Sequence, residues 1–291
     1  MKFVLFATIA DACFAPLASA DTIKVNAYNF NRAETDVYFA KLVKDAGGTG
    51  KFLHNRLPTL VEKQPVIRMN QDTLYSSVVF DLDAGPVTIT MPNAGKRFMS
   101  LQLVDEDHYV PAVYYKPGKI TLTRKAIGTR YVAAFLRTFM DANSETDIKT
   151  ANALLDAVLI EQAGPGRFVM PDWDTETLDK TRNLLLGLAQ LGGDAGVKFG
   201  KKSEVDPISW IIATAARWAG NPPRDAQYAA LFPPKADGTT AYTLTLKDVP
   251  VDGFWSITAY DATVTQAVPE PTSIAALGLG MIGLWKRRRK A

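Results

Sequence analysis

Apolar residues recur along this chain at two different periods, and each change of period marks a change of element. Phe39, Leu42, Val43 and Ala46 fall at i, i+3, i+4 and i+7, which predicts a helix over 31–46, ended by Gly47-Gly48. Lys41, Lys44 and Asp45 lie off that stripe and suit its solvated face. From about 66 to 139 the runs become short, rich in Val, Ile, Thr and Tyr, and broken by turn residues. Strands are expected at Leu74 to Leu82, Val87 to Met91, Arg97 to Val104, Tyr109 to Tyr115, Ile120 to Thr123 and Tyr131 to Phe139. In the third of these Met99, Leu101 and Leu103 share one face, while Ser100 and Gln102 share the other.

The helical period returns from about 144 to 232. Ser144 caps a helix whose stripe is Ile148, Ala151, Leu155, Val158 and Leu159. A second helix over about 174–191 aligns Leu178, Leu185 and Leu188. Asp206 followed by Pro207 starts a third, with Ile208, Ile211, Ala215 and Trp218 inward. Strands are expected again at Ala241 to Leu246 and Gly253 to Tyr260. The order of elements predicts an α+β fold: antiparallel sheets packed as a β-sandwich or jelly-roll-like pair, with an inserted helical segment.

Both ends follow other rules. Lys2, the apolar run Phe3 to Ala10 and Ala18-Ser19-Ala20 make residues 1–20 a secretory signal peptide, with Asp11 an unusual charge inside it. The far end reads Val268-Pro269-Glu270-Pro271, then uncharged Thr272 to Trp285, then Lys286, Arg287, Arg288, Arg289 and Lys290. This resembles the PEP-CTERM sorting signal of Gram-negative bacteria, which implies an exosortase-type membrane protease acting near Pro269, Glu270 and Pro271. As a helix the apolar part would reach about 21 Å, short of a hydrocarbon core of about 30 Å, which makes it a marginal, transient anchor. The basic flank would stay cytoplasmic and the body outside. Gly278 to Gly283 spells GxGxxG but lacks the strand before it and the βαβ unit after it that dinucleotide binding requires.

Asn70-Gln71-Asp72-Thr73-Leu74-Tyr75-Ser76, with Phe80-Asp81-Leu82, Gly85-Pro86 and Arg97-Phe98-Met99-Ser100, resembles the bacterial domain of unknown function 1254. Pro250-Val251-Asp252-Gly253-Phe254-Trp255-Ser256, with Tyr260-Asp261, is similar to its usual partner, domain of unknown function 1214. The resemblance implies a β-rich domain over 21–142, a helical segment over 143–235, a shortened second β segment over 236–265 and the sorting tail over 266–291. It implies no defined activity.

Composition narrows the chemistry. Without Lys2, Asp11, Glu270 and the five basic residues at 286–290, 27 basic and 28 acidic residues nearly cancel, which argues against a nucleic-acid partner. The only cysteine, Cys13, lies in the leader, so the mature body has no disulfide and no thiolate chemistry. With His54 and His108 as the only histidines, and no HExxH, GxSxG or Walker A motif, no metal and no cofactor are expected.

Asp105-Glu106-Asp107-His108 is the sharpest local cluster, read either as an ion or acid–base site or as a solvated turn between strands. Asp72, Tyr75 and Arg97 could line a pocket, or form buried hydrogen-bonded pairs. Trp255 and Tyr260 could stack on sugars, or be core. Two functional classes stand side by side: an exported envelope protein that binds extracellular polysaccharide, and a hydrolase of such a polymer. The expected partners are signal peptidase, the exosortase-type protease, the membrane through the tail, and polysaccharide.

Overall fold

The structure, a computed structural model, describes residues 22–59, 70–192, 195–235, 237, 239–259 and 280–284. Its centre is a five-stranded antiparallel sheet in the order β1-β2-β7-β4-β5. These strands are β1 (Leu53–His54), β2 (Thr73–Asp81), β4 (Met99–Asp105), β5 (Val113–Tyr114) and β7 (Tyr131–Phe139). β7 is the spine, pairing along its whole length with β2 on one side and over 132–138 with β4 on the other. A second sheet, β6-β3-β8, joins β3 (Val87–Met91), β6 (Gly118–Leu122) and β8 (Leu159–Gln162).

The two sheets share one apolar core. Alternation places Val78, Phe80, Leu101, Leu103, Val132, Ala134 and Leu136 on one face of the large sheet, and Val87, Ile89, Met91 and Leu122 meet them from the small one. Burying each such side chain contributes about 1.5–3 kcal/mol before entropy is counted. The opposite face carries Val79, Tyr131 and Ala133, which pack under Phe39 of α1 (Phe30–Ala46). α1 in turn buries Phe30 and Ala33 against Leu178 and Leu185 of α4 (Thr175–Gln190) and Ile212 of α5 (Pro207–Ala216). α3 (Glu145–Asp156) closes one end of the large sheet with Ala151 and Leu155 on Leu74 and Met140. A single turn of helix, α2 (Arg124–Ile127), precedes β7.

The expected helix starts form as capped ends. Ser144 Oγ accepts from the Asp147 N–H at 3.2 Å, and Asp206 Oδ1 accepts from the Ser209 N–H at 2.8 Å with Pro207 in the first turn. Gly47 stops α1 at φ 72°, the left-handed conformation that glycine tolerates.

Several expectations are corrected. The strand expected over Tyr109 to Tyr115 shortens to Val113–Tyr114, because residues 105–109 make a turn held by the Asp105 side chain. α3 ends at Asp156, and Leu159 opens edge strand β8 and is 57% exposed. Ile208 is 65% exposed, because α5 turns Ser209, Ile212 and Ala213 inward instead. Ala241 to Leu246 forms no strand, and β9 (Gln227–Leu231) arises within the stretch read as helical. Its partner is distant in sequence, so no local pattern announces it.

The third sheet has the order β10-β11-β9, with β10 at Trp255–Ala259 and β11 at Gly280–Leu284. The tail residues read as part of a helical anchor are therefore, over 280–284, a strand. Two glycines in this stretch weaken a helix, and strand pairing satisfies its backbone on both sides. Among the described residues no helix is long and apolar enough to cross a membrane. The signal peptide, Tyr260, Pro269-Glu270-Pro271, residues 272–279 and the basic block 286–290 lie outside the described residues.

Candidate functional site

Register brings the site together on the helix-covered face of the large sheet. Arg137 of β7 stands directly opposite Tyr75 of β2 on one side and Ser100 of β4 on the other, so the three side chains form a row across the face. Arg137 is only 4% exposed. Burial lowers its affinity for a proton, while the nearby Tyr75, Tyr228, Tyr115 and Asp225 act the other way. Its guanidinium donates to Asn221 Oδ1. Burial likewise raises the Tyr75 phenol above its ordinary range.

The segment that carries Asn221 is pinned onto the sheet by Gln102, whose amide donates to the carbonyls of Ala219 (3.2 Å) and Gly220 (2.9 Å). Gly220 is required there: a Cβ on it would lie 2.3 Å from the Phe199 ring. The same segment delivers Asp225. Tyr115 donates a 2.7 Å hydrogen bond to Asp225 Oδ1. Asp225 Oδ2 is buried and has no hydrogen-bond partner, with Arg224 Nε at 3.4 Å but not in line for one. Ser100 Oγ is a second buried oxygen without a partner. Burial pushes the Asp225 carboxyl upward, with Tyr115 partly opposing the shift.

Asp225 and Tyr115 form part of the wall of a cavity of about 390 Å³, which Arg97, Phe98, Phe139, Asp252 and Phe254 also line. Its rings form a connected group. Phe254 meets Phe98 edge-on at 5.1 Å and Phe139 at 5.0 Å between centroids, and Phe98 lies 5.9 Å from Tyr115. Arg97 is locked by two hydrogen bonds to Asp147 (2.8 and 2.5 Å) and one to the Phe139 carbonyl (2.7 Å). That fork holds the Asp147 carboxyl down at about 2. The cavity thus combines apolar ring faces with the Asp225 carboxyl, one oxygen of which accepts no hydrogen bond, a composition suited to a ligand bearing both C–H faces and hydroxyl donors.

The structure gives the sequence candidates different places. Arg97 lines the cavity, and Tyr75 stands in the row beside it. Asp72 sits at the start of β2, where its carbonyl accepts from the Met140 N–H. Asp105, Asp107 and His108 lie at the other end of β4, about 20 Å along the strand from Met99. There Asp105 Oδ1 accepts from the N–H groups of Asp107 and Tyr109, and Arg32 binds Asp107 Oδ1 through Nε and Nη2.

His108 is buried at φ 67°. Its Nε2 accepts from the Ala219 N–H at 2.8 Å, so the proton sits on Nδ1 and is donated to Thr214 Oγ1 at 2.7 Å. Burial lowers its pKa to about 3 and keeps the ring neutral. This imidazole ties three segments together. Among the described residues no group of three His, Cys, Asp or Glu is arranged to hold a metal ion.

Sequence reasoning missed Arg137, Asn221, Asp225 and Tyr115. One signal was available: Arg137 is the only charge in the apolar strand 131–139, and a charge inside a buried strand is seldom there for packing.

Comparison with known proteins fits this picture. Residues 49–110 match the family described as "Protein of unknown function (DUF1254)", a span that holds Tyr75, Arg97 and the 105–108 turn. Residues 267–290 match the PEP-CTERM protein-sorting motif. The chain is therefore an exported protein with a domain of unknown function, sorted by an exosortase and transiently anchored in the membrane. No curated protein matches it. Its fold is shared with the crystal structure of the VPA0106 protein from Vibrio parahaemolyticus, at 15% identity and a TM-score of 0.64, over 90% of this chain and 94% of that one. An uncharacterized protein from Burkholderia cenocepacia aligns over 90% of this chain and 85% of its own, at 12% identity and a TM-score of 0.46.

Proposed function

We propose that this exported protein binds an extracellular saccharide in the cavity lined by Phe98, Tyr115, Phe139, Phe254, Arg97 and Asp225. The observation that carries this reading is the Asp225 carboxyl on the cavity wall, whose Oδ2 is buried, accepts no hydrogen bond and meets only Arg224 Nε at 3.4 Å. Burying an acceptor without a hydrogen bond costs about 1–3 kcal/mol, which the Arg224 ion pair offsets in part and a ligand hydroxyl donating to it would offset further. The surrounding rings supply apolar faces against which the C–H side of a sugar packs. The sorting motif adds the location, because an exported envelope protein meets polysaccharide rather than cytosolic metabolites.

A hydrolase is the second reading, favoured by one feature. Asp252 lines the same cavity, and burial raises the Asp225 carboxyl, the direction a general acid needs. A screen of the purified protein against extracellular polysaccharides, scoring binding and release of reducing ends separately, tests both. Saturable binding lost in Phe254→Ala without turnover supports the binding role. Turnover lost in Asp225→Asn supports the hydrolase. No binding to any saccharide in the screen refutes both.

A further inference from the structure

The third sheet joins the sorting signal to the folded body. β11 lies inside the matched sorting motif and is the middle strand, paired over five positions with β10 (Trp255↔Leu284 to Ala259↔Gly280) and over five with β9 (Gly280↔Leu231 to Leu284↔Gln227). β9 and β10 do not pair with each other. Pro269-Glu270-Pro271 falls between β10 and β11 in the sequence, so a cut there separates the middle strand from the body.

Backbone chemistry makes the two fates of this segment incompatible. In the sheet, the N–H and C=O groups of 280–284 are directed at two neighbouring strands. In a bilayer, each of those groups must be satisfied within the segment itself, as a helix. The same residues cannot do both at once. We propose that residues 280–284 of the apolar sorting tail double as the central strand of the third sheet, and that the exosortase-type protease acts only on chains in which this segment has left the sheet for the membrane. The sheet holds this segment in transit, and sorting begins when the bilayer outcompetes β9 and β10 for it.

Paired cysteines test this in the full chain carrying Cys13→Ser, which removes the only native thiol. Ser256→Cys with Gly283→Cys and Ile257→Cys with Ile282→Cys each place thiols at directly opposed positions. Adjacent antiparallel pairs alternate between Cα separations of about 5.5 and about 4.5 Å, both within disulfide range. Ser256→Cys with Gly280→Cys is the control, offset by three positions and so about 10 Å apart along the strand. Each form is then presented, oxidised and reduced, to membrane vesicles containing the protease. The expected result is cross-linking in at least one opposed variant and not in the control, with the oxidised form cut at least tenfold more slowly than the reduced form. Absence of cross-linking in both opposed variants, equal cross-linking in the control, or equal cutting of oxidised and reduced forms overturns the proposal. No saccharide enters the experiment, so its outcome is independent of the binding reading.

Discussion

Tyr115 and Asp225 share a 2.7 Å hydrogen bond that uses one carboxylate oxygen and leaves the other, Oδ2, buried with no hydrogen bond and only Arg224 Nε nearby at 3.4 Å. Asp225→Asn separates the two oxygens. The amide oxygen can still accept from Tyr115, while the NH₂ group replaces an acceptor with a donor where a ligand hydroxyl is expected to donate. Saccharide affinity is expected to fall at least tenfold, about 1.4 kcal/mol, read by titration calorimetry. Thermal stability is expected to hold or rise, because a carboxyl whose charged form burial disfavours has been made neutral. Unchanged affinity would show that Oδ2 does not contact the ligand.

Arg97 is tied to Asp147 and to the Phe139 carbonyl in a geometry that only a planar fork can supply. Both side chains are less than one-third exposed, so the pair is screened less than a surface one. Arg97→Ala is expected to destabilise by about 1.5–3 kcal/mol in urea unfolding. Arg97→Lys should recover less than half of that, since one ammonium cannot replace two parallel N–H bonds. Full rescue by lysine would assign the effect to charge alone.

Much of the fold was legible because its signals are local. Ser144, Asp206-Pro207 and Gly47 mark helix ends through the backbone groups they satisfy, and alternation in 87–91 and 99–104 sorts residues between the two sides of a sheet. The site was less legible because it is assembled by register. Tyr75, Ser100 and Arg137 come from three strands, and Asn221 and Asp225 from a loop more than 80 residues beyond Arg137. Asp105 to His108 drew attention because acids and a histidine adjoin in sequence, yet their polar groups are spent on a turn and an inter-segment tie. β9 and β11 escaped notice because each needs a partner distant in the chain.

Two buried carboxyls, Asp36 on α1 and Asp105 at the end of β4, set the pH dependence of stability. Burial raises Asp36 to about 7, with Trp173 Nε1–H its 2.9 Å partner, and raises Asp105 to about 7. A carboxyl raised on folding binds its proton more tightly in the native state than in the unfolded chain. Its contribution is complete below the unfolded value near 3.8 and is lost as pH rises through about 7. Each group gives a slope of up to about 1.4 kcal/mol per pH unit within that window. Asp147, held at about 2, acts oppositely: its contribution is present above 3.8 and is lost as pH falls toward 2. The melting temperature is therefore expected to rise on going from pH 8 to about 5 and to fall below pH 4. Asp36→Asn should flatten the limb between 5 and 8, and an unchanged slope would rule out Asp36 as its source.

His108 links the turn after β4 to α5 and to the loop that carries Asn221. Replacing it by alanine leaves the Ala219 N–H without an acceptor and Thr214 Oγ1 without the Nδ1–H donor, and empties the space between Trp218 and Phe199. Two lost buried hydrogen bonds and a cavity predict destabilisation of about 3–5 kcal/mol. The folded imidazole, with a pKa near 3, stays neutral from pH 6 to pH 8, whereas in the unfolded chain it titrates near 6.5, so the loss should be smaller at pH 6 than at pH 8 by about 0.8 kcal/mol. Binding per folded molecule should persist, because His108 and the cavity lie at opposite ends of β4. Urea unfolding at the two pH values, together with saccharide titration of the folded fraction, separates this role from an acid–base one. A His108→Ala protein that keeps its stability and loses binding or turnover would return the 105–108 turn to the functional site.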